Sequence, residues 1–576
     1  MRQTTTASRR FASVLCAGVT LAVTAACGGA PPPTATPSSA APAPASGSAS
    51  GPAATDASSG ASASGASTTA GLTVLTPAPK NDAGALTWAV YRETQTLDPI
   101  QAFDYPDNTA VSLLCDAVLR TGPDMTIGPG LTTMTNPTPT TIDFQIHAGA
   151  TFWDGKPVTP DDVLFSLQRS ADPKGGGFYS AMFDRVDSMK VKGTDTVEIT
   201  LKQPDAWLPG ELSSTAGSVV EKAYAVAKGK DFGTVSGGVM CSGPFKLDSW
   251  KTGQGVTVVP NPTYWDSSLP KPRFKKLTLI GVPDDATATA GLETGSISGY
   301  YPGPLSTLAQ LEANSNVNVY QAESTATAAM VISATKGPLA DVRVRQAISY
   351  ALDRKGLIAT VWKGAASIPH ALMGAGTWGF AKSTFQAGYD ALPALDQDMT
   401  KAQQLIKDAN VAGQTITIGT SSGIPALNTE ALAFKAAAES LGLTVKLDSV
   451  SPSNFINFFT DPKAFGAVDA FPTTNYGDYA DPSALYKTIA ITGGSQNYSG
   501  FKNAEIDAAM SSARSELDPV KRAEFTVAAQ KLITEQMVWV PLTAPNSVVI
   551  MNKAVTGAPA TFSYMFGPWA VYLGAS

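Results

Sequence analysis

The sequence predicts an α/β protein with more than one hydrophobic core. Three observations lead there. The chain has 576 residues, and single cores stop growing beyond roughly 250–300 residues. Strand-like and helix-like stretches alternate along it instead of segregating, the pattern of interleaved α/β layers. Its first eighty or so residues differ sharply in composition from the rest. No internal repeat is visible.

The opening segment, residues 1–27, reads as an export address. Arg2, Arg9 and Arg10 form a basic start, and residues 11–26 are apolar but too short to span a bilayer comfortably. Thr24-Ala25-Ala26 leads into Cys27-Gly28-Gly29. This resembles a lipobox, with Thr24 where leucine is usual, and implies acylation of Cys27; an ordinary secretory signal cleaved nearby is the alternative. Residues 28–84 follow as an Ala/Ser/Pro/Thr-rich stretch in which Asp56 is the one charge before residue 79. Such a composition buries too little apolar surface to offset its ordering entropy. It is expected to be a disordered tether, with an r.m.s. reach on the order of 40 Å.

From Gly84 the pattern changes to the alternation Ala-Leu-Thr-Trp-Ala-Val-Tyr, a strand signal. Further strand runs are expected at 141–147, 196–202, 256–260, 276–282, 415–419 and 444–447. Thr159-Pro160-Asp161-Asp162 predicts a helix start, with an N-cap, proline at N1 and acids in the first turn. Asp341 caps another, whose residues Val344, Ala347, Ile348, Ala351 and Leu352 form an apolar stripe. Asp341 is also placed to pair with Arg345 at i+4, and Arg343 reads as half of a solvated or interdomain ion pair. Later helices are expected at 400–410, 429–441, 504–516 and 519–535.

Charge and residue types exclude several function classes. Formal net charge is −6, and it becomes −9 once a leader holding three arginines and no acid is set aside. An acidic chain has no general affinity for nucleic acid or anionic lipid. There are two histidines, His147 and His370, and neither has Cys, Asp or Glu at metal-ligand spacing. A serine or cysteine triad would need one of these two histidines as its base. Gly175-Gly176-Gly177 is not followed by the Lys-Ser/Thr of a phosphate loop. The acid pairs Asp161-Asp162 and Asp284-Asp285 read as caps and solvated turns. No catalytic residue, metal or cofactor is therefore expected. Export would place Cys115 and Cys241 in an oxidising space, where they could either pair or stay as buried free thiols.

Several segments in order resemble the solute-binding proteins of oligopeptide, dipeptide and nickel importers, family 5. Thr96-Leu97-Asp98-Pro99 comes first. The run from Thr141-Ile142-Asp143-Phe144 through Phe152-Trp153-Asp154-Gly155 to Thr159-Pro160-Asp161-Asp162-Val163 matches the family's strand, turn and helix start. Ser242-Gly243-Pro244-Phe245 with Asn261-Pro262-Thr263-Tyr264-Trp265 follows, then Gly291-Leu292-Glu293-Thr294-Gly295-Ser296-Ile297-Ser298. Asp341-Val342-Arg343-Val344-Arg345-Gln346-Ala347 is the nearest match, and Asn497-Tyr498-Ser499-Gly500-Phe501 completes the series. The resemblance implies an α/β two-lobed periplasmic-binding-protein type fold (class II, with an extra domain), its ligand held in the interlobe cleft. It implies domain I at 85–116, 204–324 and 545–576, domain II at 117–203 and domain III at 325–544. It further implies a monomeric ABC-importer receptor, anchored by lipid to the outer face of the cell membrane, which hands a peptide-like solute to permease subunits.

By the same resemblance the ligand residues fall at Asp478, Thr474, Asn475, Tyr476, Phe103, Asp104, Tyr105 and Tyr179. In the peptide-binding branch an aspartate at the position of Asp478 neutralises the peptide ammonium. Asn475 stands where the family often has tryptophan. Asp481, before Pro482 and Ser483, reads as a helix cap. Phe103-Asp104-Tyr105 falls where peptide binders offer backbone to an extended ligand, a form of β-augmentation. Rival readings are an oligosaccharide stacked on Tyr476, Tyr479 and Trp378, a nickel chelate or haem, and a cell-surface glycan-acting enzyme.

Overall fold

Three sheets carry the architecture of residues 72–576, the part of the chain described by the computed structural model. The expected leader, Cys27 and the first part of the tether lie outside the described residues. The largest sheet has seven strands, in the order Val317–Ala322, Ser547–Asn552, Gly299–Tyr300, Ala83–Val90, Phe274–Gly281, Gly255–Pro260 and Phe245–Lys251. Its central strand, Ala83–Val90, lies parallel to Phe274–Gly281 and Gly299–Tyr300. Trp88 on that strand is fully buried, with Trp569 and Tyr301 rings 4.7 and 5.0 Å away. Position 299 must be glycine for this packing: a Cβ there would stand 2.3 Å from the Trp88 ring.

A second, antiparallel sheet joins Thr132–Thr138, Thr141–Ile146, Thr196–Leu201 and Val186–Lys192. Alternation puts Ile142, Phe144, Val197 and Ile199 in its core. Helix Pro160–Ala171 covers that face with Val163 and Leu167. Its start is a full capping box: Thr159 and Asp162 exchange side-chain to backbone hydrogen bonds.

The third sheet runs Ala366–Ser367, Trp539–Pro545, Ala326–Ile332, Ala470–Tyr476, Thr415–Thr420, Thr444–Ser449. Ala326–Ile332 is buried on both faces, as its run of apolar residues requires. Helix Val342–Ala351 buries the predicted stripe of Val344, Ala347, Ile348 and Ala351. Asp341 caps this helix but does not pair with Arg345. Arg343 takes the carboxylate at 2.6 Å, and Arg345 is buried. The Arg345 guanidinium donates to the carbonyls of Met537, Leu339 and Gln536 at 2.7–2.9 Å. Two of these lie at the end of helix Pro519–Gln536, whose orphan carbonyls favour a cation.

The chain passes between the first and third sheets twice among the described residues, at 322–326 and at 545–547. The Asn546 side chain donates to Gln321 Oε1 at 2.8 Å, tying the two connections together. Cys115, which ends helix Tyr105–Leu114, forms a disulfide with Cys241. The 126-residue separation encloses the whole antiparallel sheet. Closing a loop of that length removes denatured-state entropy worth on the order of 4–5 kcal/mol.

The end of the expected tether is a correction. From residue 73 the backbone bonds to the body of the protein, Thr73 N–H to Gln321 O at 2.8 Å and Thr76 N–H to Ala558 O at 3.2 Å. Arg273 holds Asp82 at 2.9 Å. Composition alone overlooks this ordering, because the partners are carbonyls roughly 240 to 500 residues further along the chain.

Candidate ligand-binding cleft

One wall of the cleft is the start of helix Tyr105–Leu114. Asp104 caps it, accepting the Tyr105 N–H at 2.8 Å. Its other oxygen takes Arg92 Nη2 at 2.8 Å, Arg92 Nε at 3.1 Å and the Tyr91 hydroxyl. Arg92 also holds Asp107 at 2.9 Å. Asp104 is thus fully engaged inside the protein and shapes the wall. Beside it Phe103 is 50% exposed and Phe178 57%, their ring centroids 4.3 Å apart. The two rings form an exposed apolar pair beside Asp104.

The facing wall is the end of strand Ala470–Tyr476 and the turn after it. The Tyr476 hydroxyl donates to the Phe103 carbonyl at 2.6 Å. The Tyr476 ring packs edge-on against Tyr105 at 5.2 Å and tilted against Phe562 at 5.4 Å. Thr474 is exposed, while the Asn475 amide donates to Gln496 Oε1 at 3.0 Å. Tyr179 is buried; its hydroxyl donates to Ala102 O and lies 2.7 Å from Thr215 Oγ1. It supports the floor and has no hydroxyl free for a ligand.

Asp478 is part-buried and accepts no hydrogen bond among the described residues. Burial pushes its carboxyl above the ordinary aspartate range, and the Lys487 charge pulls the other way. Its field also raises the Tyr179 and Tyr476 hydroxyls, for which burial is the main cause. Asp478 is therefore a part-buried carboxylate beside aromatic residues, with no bond among the described residues. Such a group is free to accept a charge-assisted hydrogen bond from a cationic donor.

The fold brings Phe103, Tyr105, Tyr179, Tyr476 and Asp478 together, from segments almost 400 residues apart. It leaves Asp104 and Asn475 engaged with internal partners. Phe178, Arg92 and Phe562 were missed. Phe178 alone left a trace in the sequence, as an aromatic directly after three glycines. Tyr479 and Trp378, expected as sugar platforms, are buried at 1% and 5% exposure and offer no open ring face. His147 stacks on Trp265 at 5.0 Å, and His370 Nδ1 lies 2.7 Å from Leu392 O. No group of three potential metal ligands occurs among the described residues, and none of their helices is long and apolar enough to cross a membrane.

The family model of bacterial extracellular solute-binding proteins, family 5, matches residues 126–497. The probable D,D-dipeptide-binding periplasmic protein DdpA of Escherichia coli is 26% identical over 419 residues, covering 72% of this chain and 78% of the relative. The periplasmic murein peptide-binding protein MppA of the same organism is 27% identical over 499 residues, covering 81% and 89%. Among solved structures, the Helicobacter pylori periplasmic binding protein DppA with peptide STSA superposes with a TM-score of 0.71 at 22% identity, covering 86% of this chain and 98% of that one. The Listeria monocytogenes substrate-binding protein CtaP gives 0.73 at 23%, covering 86% and 100%.

Proposed function

The chain belongs to the bacterial extracellular solute-binding proteins of family 5, and on that premise we propose that it captures a peptide-like solute and delivers it to an ABC permease. Its fold is the two-lobed periplasmic-binding-protein type, and its family consists of substrate-binding proteins rather than enzymes. The proposed cargo rests on one observation, the part-buried Asp478 carboxylate that lacks a hydrogen-bond donor. A peptide ammonium would supply that donor as a charge-assisted hydrogen bond. Phe103 and Thr474 would then flank the extended backbone, and the exposed Phe103–Phe178 pair would cover an apolar side chain.

Domain I at 85–116, 204–324 and 545–576, domain II at 117–203 and domain III at 325–544 would be the moving parts. The connections at 322–326 and 545–547 would be the hinge. Binding shifts the open–closed balance only by its difference in affinity for the two states. A solute that bonds both walls does this, since it replaces the direct Tyr476–Phe103 contact. Acylation at Cys27 would hold the monomeric receptor on the outer face of the membrane, next to its permease. The names of peptide-binding relatives support this cargo over a sugar or a metal chelate.

Calorimetry on the purified chain tests the reading. Asp478→Ala is expected to weaken a free-amine peptide by about 10–100-fold while leaving its N-acetylated form unaffected. Equal losses would reject the ammonium role. Sugars or a metal complex recovered by mass spectrometry of co-purified ligand would overturn the peptide cargo.

A further inference from the structure

The segment at 72–77 meets the passage between the first and third sheets and is fixed to the first-sheet side by a run of hydrogen bonds. Thr73 N–H donates to Gln321 O at 2.8 Å, Thr76 N–H to Ala558 O at 3.2 Å, and Ala560 N–H to Val74 O at 3.0 Å. The Thr76 hydroxyl accepts the Gly557 N–H at 2.9 Å, and the Thr556 hydroxyl donates to Pro77 O at 2.6 Å. Gln321 also accepts the Asn546 amide. The segment is thus bonded to the residue that ties the two connections together.

The connection at 322–326 is packed closely from the third-sheet side as well. A Cβ on Gly376 would stand 2.1 Å from Ser324 O, so the turn at 375–377 rests backbone on backbone against the connection. A cavity of 380 Å³ lies beside that turn. Leu72 and Val74 contribute to its wall from the first-sheet side, and Trp378, Lys382 and Gln386 from the third-sheet side. Lys382 reaches back across, its ammonium donating to Asp124 O at 3.4 Å. Leu72 and Val74 are 46% and 48% exposed.

Single exposed apolar residues need no explanation, and the backbone bonds of this segment would form equally well with serine at both positions. What the apolar side chains add is a cavity wall shared with residues from beyond the connection. That shared surface exists only while helix Lys382–Asp390 lies beside the segment. We propose that residues 72–76 are a strap that favours the arrangement seen here, in which the halves meet at Tyr476 and Phe103, and so sets the ligand-free balance of the hinge. The strap rests on the reading of 322–326 and 545–547 as that hinge. Rotation there would carry the helix away from a segment still bonded to the other half, and water would replace the apolar contact. A ligand that selects the same arrangement binds more tightly the larger the fraction of chains already in it.

Single-molecule distance measurement across the lobes of the full chain, without ligand, tests this. Leu72→Ser combined with Val74→Ser keeps the backbone bonds and is expected to raise the open population about 3–10-fold. Val74→Thr, nearly isosteric, keeps the test valid should the double variant misfold, and should raise it about two- to threefold. Leu72→Met with Val74→Ile should retain the unsubstituted balance. Leu75, 40% exposed on the same segment but outside the cavity wall, supplies the control: Leu75→Ser should leave the balance unchanged. An unaltered open population in the double serine variant, or an equal shift in Leu75→Ser, would overturn the strap alone. A single distance in the unsubstituted chain, with no second population, would overturn the hinge reading with it.

Discussion

At the cleft the two halves of the molecule meet through aromatic rings and one tyrosine hydroxyl, whereas around Arg514 they meet through buried ions. Tyr476 reaches across to the Phe103 carbonyl, and Tyr105 and Phe562 pack beside it. At the other contact Arg514 grips Asp205 at 2.6 and 3.0 Å and Asp184 at 3.0 Å, with its guanidinium over the Trp207 ring. The Ala206 N–H donates to Arg514 O at 2.7 Å, and Lys487 meets the buried Glu211. The contrast assigns the two contacts different work. One hydroxyl contact is weak, worth about 1 kcal/mol. The desolvated Arg514–Asp205 pair is expensive to take apart, because Asp205 left behind lacks compensation.

The comparison is most exposed to Arg514→Met. Asp205 would be left buried and unpaired, and a loss of about 3–5 kcal/mol is expected in chemical denaturation; a loss below about 1 kcal/mol would erase the distinction. Lys487→Met should rank next, and its cost should depend on pH. Burial raises the Glu211 carboxyl above the ordinary glutamate range, with Lys487 opposing. The folded chain therefore holds that proton to higher pH than the unfolded chain. Below the raised value Glu211 is neutral and scarcely needs Lys487; above it the carboxylate does. Denaturation should show a loss of about 3 kcal/mol at pH 8 and distinctly less at pH 5. Equal losses at the two pH values would contradict this.

At the cleft the effects should be smaller. Tyr476→Phe removes one hydrogen bond worth about 1 kcal/mol, so the ligand-free open population should rise about fivefold, as measured by a distance probe spanning the lobes. Asp478→Asn should have the least effect on stability, with the opposite sign. Since burial raises the folded-state pKa of Asp478, its contribution to stability falls as pH rises from the ordinary aspartate range through the raised value. It then stays unfavourable at neutral pH. The asparagine variant should lack that decline and be slightly more stable without ligand. A destabilised Asp478→Asn would mean that the carboxylate has a structural partner.

Much of the scaffold was legible because its signals are local. Thr159 with Asp162, and Asp341 with the stripe behind it, announce their helices within one turn. The strands at 141–146 and 196–201 alternate as a half-buried sheet must. Asp478 could be singled out because the neighbouring Asp481 has an evident role at the start of helix Ser483–Ile489. Asp104 shows where this reading stops. It was expected to offer backbone to an extended ligand; its carboxylate is held by Arg92 and Tyr91, partners that nothing in the spacing identifies.

The amino-acid sequence by itself determined the alternation of strands and helices, their caps, and the order of motifs that marks the family. Those features depend on backbone geometry and on side chains within a few residues of one another. Only the tertiary structure decided which charges are satisfied and which stay open. Glu211 and Lys487 are 276 residues apart, and Asp205 and Arg514 are 309 apart. A carboxylate's partner depends on which distant segment folds against it, and the strength of the pair depends on the water that contact excludes. Asp478 and Asp481 are three residues apart and chemically identical. The fold gives Asp481 the Ser483 N–H and leaves Asp478 without a bond among the described residues.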